Sequence, residues 1–344
     1  MRSEEPRSTG RTVRWGVLGA ARIAEGYVLP AIGRVPGSLV HAVSSRDSTA
    51  ADRLAQKFEA PRAYGSYAAL LDDPEIDAVY IALPNALHAH WTQAALAAGK
   101  HVLCEKPLTT SVTDVEKIEA AARSSGLLVA EAFMYRHHPQ FLHLLEMVSD
   151  GAIGAVHSVR GALSFCLDDA SDDIRLAPEL GGGALFDLGC YLIDACVAVH
   201  QEAPCAGRAV VHRGATGVDV HTVGVLEFPG QGTGAVEASF RLPWLDSRLQ
   251  VCGDTGSLVL PHAFNPGSAP CELLHVPFGK ELRTVSFPGT DMYERTVGEF
   301  ADAVRDGRPT ARQLSESRSV QTGIELLLSD AARRDGHNQA KGML

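Results

Sequence analysis

The sequence lacks several features that would place it in a specialised class. Its seven cysteines include no C-x-x-C pair, which argues against a zinc ribbon or a disulfide framework and indicates a reducing compartment. It has no basic block and a formal net charge of -10, so no nucleic-acid partner is expected. We also identify no apolar run long enough to span a bilayer, and residues 1–12 lack the apolar core of a secretory signal. We therefore expect a soluble cytoplasmic protein without a membrane partner.

The chain does have an ordinary globular composition, with 344 residues of which 45% are hydrophobic and 21% charged, enough for two domains. In its first third, short apolar strands alternate with helix-length segments. The predicted strands span residues 12–18, 39–43, 78–83, 102–104 and 127–130, and the predicted helices span 48–58, 67–71, 87–98 and 111–125. This alternation predicts a parallel sheet with right-handed crossovers. We expect a disordered tail over residues 1–11 and a Rossmann domain over residues 12–132.

The turn after the first strand is similar to a dinucleotide-binding fingerprint. Measured from Gly19, it reads Gly-x-Ala-x-x-Ala, so Ala21 stands where the fingerprint has its middle glycine. Alanine adds one methyl group, so the loop can still bind with the phosphates slightly displaced. We predict that the cofactor contacts Gly19, Ala21, Arg22 and Ile23. The alternative is a tight strand-to-helix turn that binds nothing.

The end of the second strand indicates which dinucleotide is bound. NAD-binding chains place an acid there for the ribose 2′-hydroxyl, whereas an arginine accommodates the 2′-phosphate of NADP. Here the strand ends in Ser44-Ser45-Arg46, so we predict NADP(H) in preference to NAD(H), with Ser45 and Arg46 on the phosphate. Asp47 would repel that phosphate if it pointed inward. Alternatively, residues 45–47 only begin the next helix.

The third predicted strand ends at Leu83 and is followed by Pro84 and by the polar residues Asn85 and His88. Ligands bind outside the carboxyl ends of parallel strands, so these residues are candidates for the nicotinamide side of the cofactor. The predicted contacts are Leu83, Pro84, Asn85 and His88. For Asn85, a helix cap is an equally good interpretation.

The stretch Glu105-Lys106-Pro107 follows the apolar run 102–104. Pro107 has no N–H and disfavours a helical conformation at Lys106, so the chain turns out of the sheet there. We predict that Lys106 points into the cleft and that Glu105 lies beside the cofactor. A surface salt pair at a strand end is the alternative.

The segment that leaves the predicted Rossmann domain reads Met134-Tyr135-Arg136-His137-His138-Pro139. Adjacent histidines face different ways on any regular element, and the fourteen histidines show no H-E-x-x-H spacing, so we predict no metal site. Tyr135 and Arg136 are predicted to line the cleft entrance and to contact substrate. Packing at the domain junction is the competing interpretation.

Three glycines, 181–183, lead into a predicted helix that extends to about Val199. Asp187, Tyr191 and Asp194 fall on one narrow face of it. The rest of the wheel is apolar, as in a buried helix, and an unpaired buried carboxylate is costly. We therefore expect these polar residues either to line a ligand cavity or to bond one another structurally.

The remaining chain is rich in strands separated by Gly, Pro and Asp turns. The predicted strands span residues 156–165, 209–212, 220–227, 234–240, 248–252, 257–260, 273–276 and 283–287, and two helices follow over 293–306 and 315–334. Because helices do not intervene between most of these strands, we predict a largely antiparallel sheet that covers the cleft or pairs with another subunit. This second domain spans residues 133–344.

At this point the chain resembles the Gfo/Idh/MocA oxidoreductase family over about residues 12–335. Glu105-Lys106-Pro107 matches the family signature, and it occurs together with the loop at 16–24 and the helix at 181–194. Many members carry histidine four residues after the aspartate of that helix. Tyr191 instead resembles the branch that contains NADP-dependent D-xylose dehydrogenase, dimeric dihydrodiol dehydrogenase and glucose–fructose oxidoreductase. The resemblance implies a Rossmann domain followed by an α/β domain whose open, mostly antiparallel sheet forms a homodimer or homotetramer.

The resemblance also implies a reaction in which hydride passes between the nicotinamide and a carbon bearing OH or C=O. Tyr191 would carry the proton, and the ammonium of Lys106 would lower the phenol's pKa. Asp187 would orient the sugar or the lysine. Cys190 and Phe186 lie near the pocket at positions where side chains differ with substrate.

Three functions remain open. The first is an NADP(H)-dependent sugar or polyol oxidoreductase. The second is a ketoreductase on an NDP-sugar, for which Arg136, Arg175 and Arg241 are the candidate diphosphate ligands. The third is a non-catalytic NADP-binding regulator, against which the presence of both Lys106 and Tyr191 argues.

Overall fold

The structure is a computed structural model that describes residues 11–168, 172–242 and 246–341, with side chains as far as residue 334. The predicted disordered tail, except for its last residue, lies outside this part of the chain. Two sheets organise the fold, the first formed by residues 13–131 and the second by residues 156–287.

The first sheet has six parallel strands in the order β3-β2-β1-β4-β5-β6. The strands are β1 (Val13–Leu18), β2 (Ser38–Ser44), β3 (Arg62–Tyr64), β4 (Ala78–Ile81), β5 (His101–Cys104) and β6 (Val129–Glu131). The helices are α1 (Leu29–Arg34), α2 (Ser48–Lys57), α3 (Tyr67–Leu71), α4 (Asn85–Ala97) and α5 (Val112–Ser125). This order is the doubly wound arrangement in which ligands bind where the strand order reverses, beside β1 and β4.

Both faces of this sheet are buried, as expected for parallel strands covered by helices. Trp15 and Val17 of β1 pack into the apolar core on one face, and Leu18 packs into the core on the other. Helices α2 and α5 begin at polar caps: Asp47 accepts hydrogen bonds at the start of α2, and Ser111 does so at the start of α5. The apolar strands and the polar caps of the helices that follow them therefore set where the strands end, and these strand ends form the cleft.

The second sheet has eight strands in the order β14-β13-β12-β11-β7-β10-β9-β8. They are β7 (Val156–Ser164), β8 (Ala206–Arg213), β9 (Asp219–Glu227), β10 (Thr233–Ser239), β11 (Leu249–Gly253), β12 (Gly256–Leu260), β13 (Cys271–Pro277) and β14 (Arg283–Phe287). Neighbouring strands are antiparallel except for β7 and β10. The predicted fold class, a Rossmann domain followed by an α/β domain with an open, mostly antiparallel sheet, is confirmed.

Helices α7 (Cys190–His200) and α9 (Leu314–Lys341) cover one face of the second sheet, and α6 (Pro139–Ser149) packs against its β13 end. A π-helical turn, Leu185–Gly189, directly precedes α7. Contrary to our expectation, one helical stretch, Pro178–His200, is long and apolar enough to cross a membrane, but 83% of its most apolar window is buried inside the protein. Burial of this kind is typical of a core helix.

Helix α8 (Met292–Asp306) returns from the second half of the chain to the first sheet. The rings of Phe300 and Trp15 lie 5.5 Å apart, and Val297 and Ala301 join the same core. Residues beyond the proposed boundary at 132 therefore complete the nucleotide-binding half.

Candidate active site

Lys106 lies directly after β5, at the carboxyl edge of the first sheet. Its ammonium reaches the second domain, where it donates hydrogen bonds of 2.8 Å to the backbone carbonyl of Asp187 and 2.8 Å to its Oδ1. The two side chains are 13% and 16% exposed, so the pair lies in a cleft with access to solvent. In the described part of the chain, Lys106 Nζ makes two hydrogen bonds and so keeps one N–H for a ligand.

The electrostatics of this pair favour charge on both groups. Burial works against the charged form of Lys106, but the carboxylate of Asp187 outweighs it and raises the pKa of the amine. Burial likewise opposes ionisation of Asp187, but Lys106 and Arg175 together hold its pKa below the usual range. The second carboxylate oxygen accepts 2.8 Å from Arg175 Nε. The pair is therefore ionised at neutral pH.

Tyr191 lies one residue into α7 and faces the same amine. Lys106 Nζ lies 5.0 Å from the centroid of its ring, while the hydroxyl contacts Met134 Sδ at 3.3 Å. Burial, followed by the nearby Glu105, raises the pKa of the phenol well above its usual range. The expected lowering of the phenol's pKa by Lys106 is therefore not seen in this structure, where burial has the largest effect on Tyr191.

Glu105 turns away from the amine of its neighbour. Its Oε1 accepts a 2.6 Å hydrogen bond from the hydroxyl of Tyr80, and its Oε2 accepts one of 3.3 Å from the backbone N–H of Lys106. Burial raises the pKa of Glu105. The residue anchors the turn that carries Lys106.

The predicted dinucleotide loop has the required geometry at Gly19. Its φ is +105°, and a Cβ there would lie 2.4 Å from the carbonyl oxygen of Ala82, so only glycine fits. The helical segment begins at Arg22, which is exposed, and Ala21 and Ile23 are partly buried beside it. A strand, a close glycine turn and a helix N-terminus together fit a dinucleotide's pyrophosphate.

At the end of β2, the structure resolves the ambiguity over Asp47. Its carboxylate accepts from the backbone N–H groups of Thr49 and Ala50, so it caps α2 instead of pointing inward. Ser45 is buried and its Oγ accepts 3.2 Å from Asp47 N. Arg46 is exposed and makes no ion pair with the residues the structure describes, which leaves its guanidinium available to an anion.

The residues after β4 hold neighbouring segments of the cleft together through hydrogen bonds. His88 is buried, with its two ring nitrogens 2.7 Å from the carbonyl oxygens of Leu83 and Pro107. Burial lowers its pKa. Pro84 is the cap residue of α4, and Asn85 Nδ2 donates 2.8 Å to the carbonyl of Gly181 in the other domain. In this structure Asn85 therefore makes an interdomain hydrogen bond rather than a helix cap.

Tyr135 and Arg136, predicted to contact substrate, belong to a different cluster. Tyr135 is fully buried and its hydroxyl donates 2.5 Å to Oδ2 of Asp194. Arg136 pairs with Glu316 and lies 3.6 Å from the same Asp194 oxygen. Arg312 donates 3.0 Å to the other oxygen of Asp194. Packing at the domain junction is thus the interpretation that the structure supports for both residues.

Sequence reasoning did not identify Arg312 or its second partner, Glu131, which lie 2.9 Å apart. Nor did it assign the adjacent histidines. His138 caps α6, and burial and Arg136 lower the pKa of His137 to about 4. His137 and His138 therefore have structural roles, His138 as a helix cap and His137 as a partly buried neutral side chain.

A parallel sheet with a glycine turn for a dinucleotide, and an amine, a carboxylate and a phenol beside the cleft, define an NAD(P)-dependent oxidoreductase. Two family models match the sequence: the oxidoreductase family with an NAD-binding Rossmann fold over residues 13–133, and the GFO/IDH/MocA C-terminal domain over residues 141–259. The chain belongs to the Gfo/Idh/MocA family of oxidoreductases. The predicted family and the predicted oxidoreductase class are confirmed.

Similar proteins include sugar-converting enzymes. The chain is 39% identical to D-xylose 1-dehydrogenase (NADP(+)) 2 of Haloferax volcanii over 92% of this chain and 97% of that protein. It is 37% identical to dTDP-3,4-didehydro-2,6-dideoxy-alpha-D-glucose 3-reductase of Streptomyces violaceoruber, over 96% and 97%. Among solved structures, the 3-ketoreductase KijD10 of Actinomadura kijaniata with NADP and TDP-benzene superposes with a TM-score of 0.85, 30% identity and coverage of 93% and 98%.

Proposed function

We propose that this chain is an NADP(H)-dependent oxidoreductase that transfers hydride to or from a carbohydrate-like alcohol or carbonyl. The observation that carries this proposal is the ion pair of Lys106 and Asp187 in the cleft, with the Tyr191 ring against it. Relatives named for NADP-dependent sugar oxidation and for sugar-ketone reduction support the same chemistry.

The residues present fit the dinucleotide. Gly19 and the helix that begins at Arg22 would hold the pyrophosphate, and Arg46 would pair with the 2′-phosphate. When bound, the nicotinamide supplies or accepts the hydride. Asp47 faces its own helix and so does not repel the phosphate.

The protein's own contribution is control of the proton on the reacting oxygen. Lys106 is an ammonium with an N–H left for that oxygen, and Tyr191 carries a phenolic proton. Positioned groups of this kind contribute about 10²–10⁴-fold. Both residues hold a proton in this state, which suits protonation of a carbonyl during reduction; oxidation follows the reverse path. Asp187 keeps the amine in place.

The pairing of the candidate arginines bears on the choice between the two substrate classes. A nucleotide diphosphate needs cationic ligands, but Arg136 is paired with Glu316 and Arg175 with Asp173 and Asp187. Arg241, the third candidate, is exposed just beyond β10. These pairings favour a free sugar or polyol as substrate. A ketoreductase on an NDP-sugar is the second candidate, and the similarity to dTDP-sugar 3-reductases over nearly the whole chain supports it.

A substrate screen tests the proposal. We would measure NADPH oxidation and NADP reduction with free aldoses, polyols, NDP-ketosugars and dicarbonyls. Turnover with free sugars is the expected result, turnover confined to NDP-ketosugars would establish the second candidate, and NADPH binding without any turnover would indicate a non-catalytic regulator.

Arg46→Ala tests the cofactor preference. Loss of a charge-assisted contact to the 2′-phosphate should weaken NADPH binding by about 10- to 100-fold and leave NADH binding nearly unchanged. Fluorescence titration of both cofactors measures this. Arg53→Ala, which removes an exposed arginine of α2 that pairs with Glu25 in the helical segment after β1, is the control. Equal losses for NADPH and NADH would refute the assignment.

We also propose that the chain assembles as a homodimer or homotetramer through the uncovered face of the second sheet. That face carries the exposed apolar residues Val210, Val223 and Val225, with Val210 directly opposite Val223. Light scattering of the purified protein should give a mass of two or four chains; a monomer at micromolar concentration would contradict the proposal. A cytoplasmic location stays a prediction.

A further inference from the structure

Arg175 occupies a central position between the catalytic pair and the surface of the cleft. Asp187 has two carboxylate oxygens, and each has its own cation: Oδ1 accepts from Lys106 Nζ and Oδ2 from Arg175 Nε, both at 2.8 Å. A carboxylate held at both ends cannot rotate about its Cβ–Cγ bond without breaking one of these contacts. The orientation of the acid that holds Lys106 therefore depends on Arg175.

We propose that Arg175 is a positioning residue that fixes the orientation of Asp187 and, through it, the amine of Lys106. The inference rests on the proposed function, because it assumes that Lys106 contacts the reacting oxygen. Arg175 itself does not have to contact substrate, and it is not required to bind the diphosphate of a nucleotide sugar.

Arg175 is itself held on several sides. Its Nη1 lies 3.2 Å from both carboxylate oxygens of Asp173, and its guanidinium lies 5.6 Å from the centroid of the Phe165 ring. A guanidinium paired in this way with a carboxylate has a fixed plane. It can therefore transmit its position to Asp187.

The glycines at 181–183 explain how this turn comes close to the catalytic helix. The N–H of Gly183 donates 2.9 Å to the carbonyl of Arg175. A Cβ at Gly182 would lie 2.5 Å from that same carbonyl oxygen. A side chain at 182 would push the arginine's backbone away from the helix that carries Asp187. The glycine run thus has a role in placing Arg175.

The same turn reaches across the cleft to the dinucleotide loop. Asp173 Oδ2 lies 3.8 Å from Nη2 of Arg22, the first helical residue after that loop. Four ionic contacts therefore connect the loop to the amine through residues of alternating charge. They join Arg22, Asp173, Arg175, Asp187 and Lys106 in that order.

A pH readout separates this role from a purely structural one. Arg175 is the second of the two cations that depress the pKa of Asp187, so its removal should raise that pKa. A group with a depressed pKa loses its ion pair as pH falls through that pKa, so a higher value moves the loss to higher pH. Among the residues that the structure describes, the groups around Asp187 and its partner Arg175 are Lys106, Glu105, Asp173, Cys190 and Tyr191.

The experiment compares Arg175→Gln and Arg175→Lys with the full-length wild type. In Arg175→Gln, kcat should fall by about 10- to 100-fold. The acid limb of the pH profile of kcat/KM should move to higher pH by about one unit. Arg175→Lys keeps the charge and should restore the acid limb, with part of kcat. NADPH binding should stay within about twofold of wild type, because the arginine is not placed on the cofactor.

Two further variants keep the outcome decisive. Arg318→Gln removes a similarly exposed arginine, paired with Glu119, and should move neither kcat nor the acid limb. Gly182→Ala retains Arg175 but displaces it, so it should shift the acid limb in the same direction. It takes the place of Arg175→Gln in the test if that variant does not fold.

An acid limb unmoved in the folded variants would overturn the inference. Lys106→Met, measured alongside, separates this failure from failure of the proposed function. If Lys106→Met keeps turnover, the catalytic assignment itself is wrong. If Lys106→Met is inactive and the acid limb of the Arg175 variants is unmoved, only the role of Arg175 is removed.

Discussion

Two polar clusters lie along the same helical stretch and differ in access to the cleft. The cleft cluster consists of Lys106, Asp187, Arg175 and Tyr191, and the buried cluster consists of Asp194, Arg312, Arg136, Tyr135, Glu131 and Glu316. Asp187 is 16% exposed and its partner amine keeps a spare N–H, whereas Asp194 is fully buried with bonded donors on both oxygens. Similar residue types thus leave one donor unused in the cleft cluster, whereas in the buried cluster both oxygens of the central carboxylate, Asp194, accept hydrogen bonds.

Lys106→Met is the strongest test of this comparison. The methionine keeps most of the unbranched side chain but removes the amine, so turnover should fall by about 10³-fold while NADPH still binds. Steady-state rates and fluorescence titration measure the two effects. Unchanged turnover would show that the cleft cluster, like the buried cluster, has only a structural role.

Asp194→Asn should give the opposite pattern. Removing the charge of the fully buried Asp194 leaves Arg312 and Arg136 incompletely compensated, at a cost of about 3 kcal/mol in the free energy of unfolding. Urea denaturation measures this cost. The folded fraction should retain the kcat of the wild type, and a loss of kcat without a loss of stability would show that Asp194 takes part in chemistry.

Tyr191→Phe tests the member of the cleft cluster that also contacts a residue of the buried cluster, Tyr135. Its ring contacts Lys106, while its neighbours also include Phe133 and Tyr135 of the apolar core. Loss of the hydroxyl should lower turnover by about 10²-fold, because the phenolic proton is lost, and should change stability little, since Met134 Sδ is a weak acceptor. Turnover equal to wild type would assign the tyrosine to packing.

The alternation of strands and helices was sufficient to predict the parallel sheet, because the pattern is local and each strand is an apolar run. The short strand β3 and helix α6 were not predicted. Strand β3 has three residues, none of them fully buried, and α6 begins at a proline after a 3₁₀ turn. Neither gives a periodic signal of useful length.

In the site, Lys106 and Asp187 were predicted because each follows a recognisable boundary, a proline after a strand and a glycine run before a helix. The role of Tyr135 was not, because sequence adjacency to the cleft does not tell which way a turn points its side chains. A wheel drawn at 3.6 residues per turn also ignores the π-helical turn Leu185–Gly189, which changes the spacing along that face. Arg312 meets Glu131 and Asp194 only through the tertiary fold, so no local pattern reports it.

The return of α8 to the first sheet has a consequence for synthesis on the ribosome. Trp15 is synthesised long before Phe300, Val297 and Ala301, the residues of α8 that cover it. A fragment that stops at residue 132 would leave this apolar surface in contact with water, at about 25 cal/mol for each square ångström exposed. The core of the nucleotide-binding half therefore closes only after the residues of α8 have been synthesised.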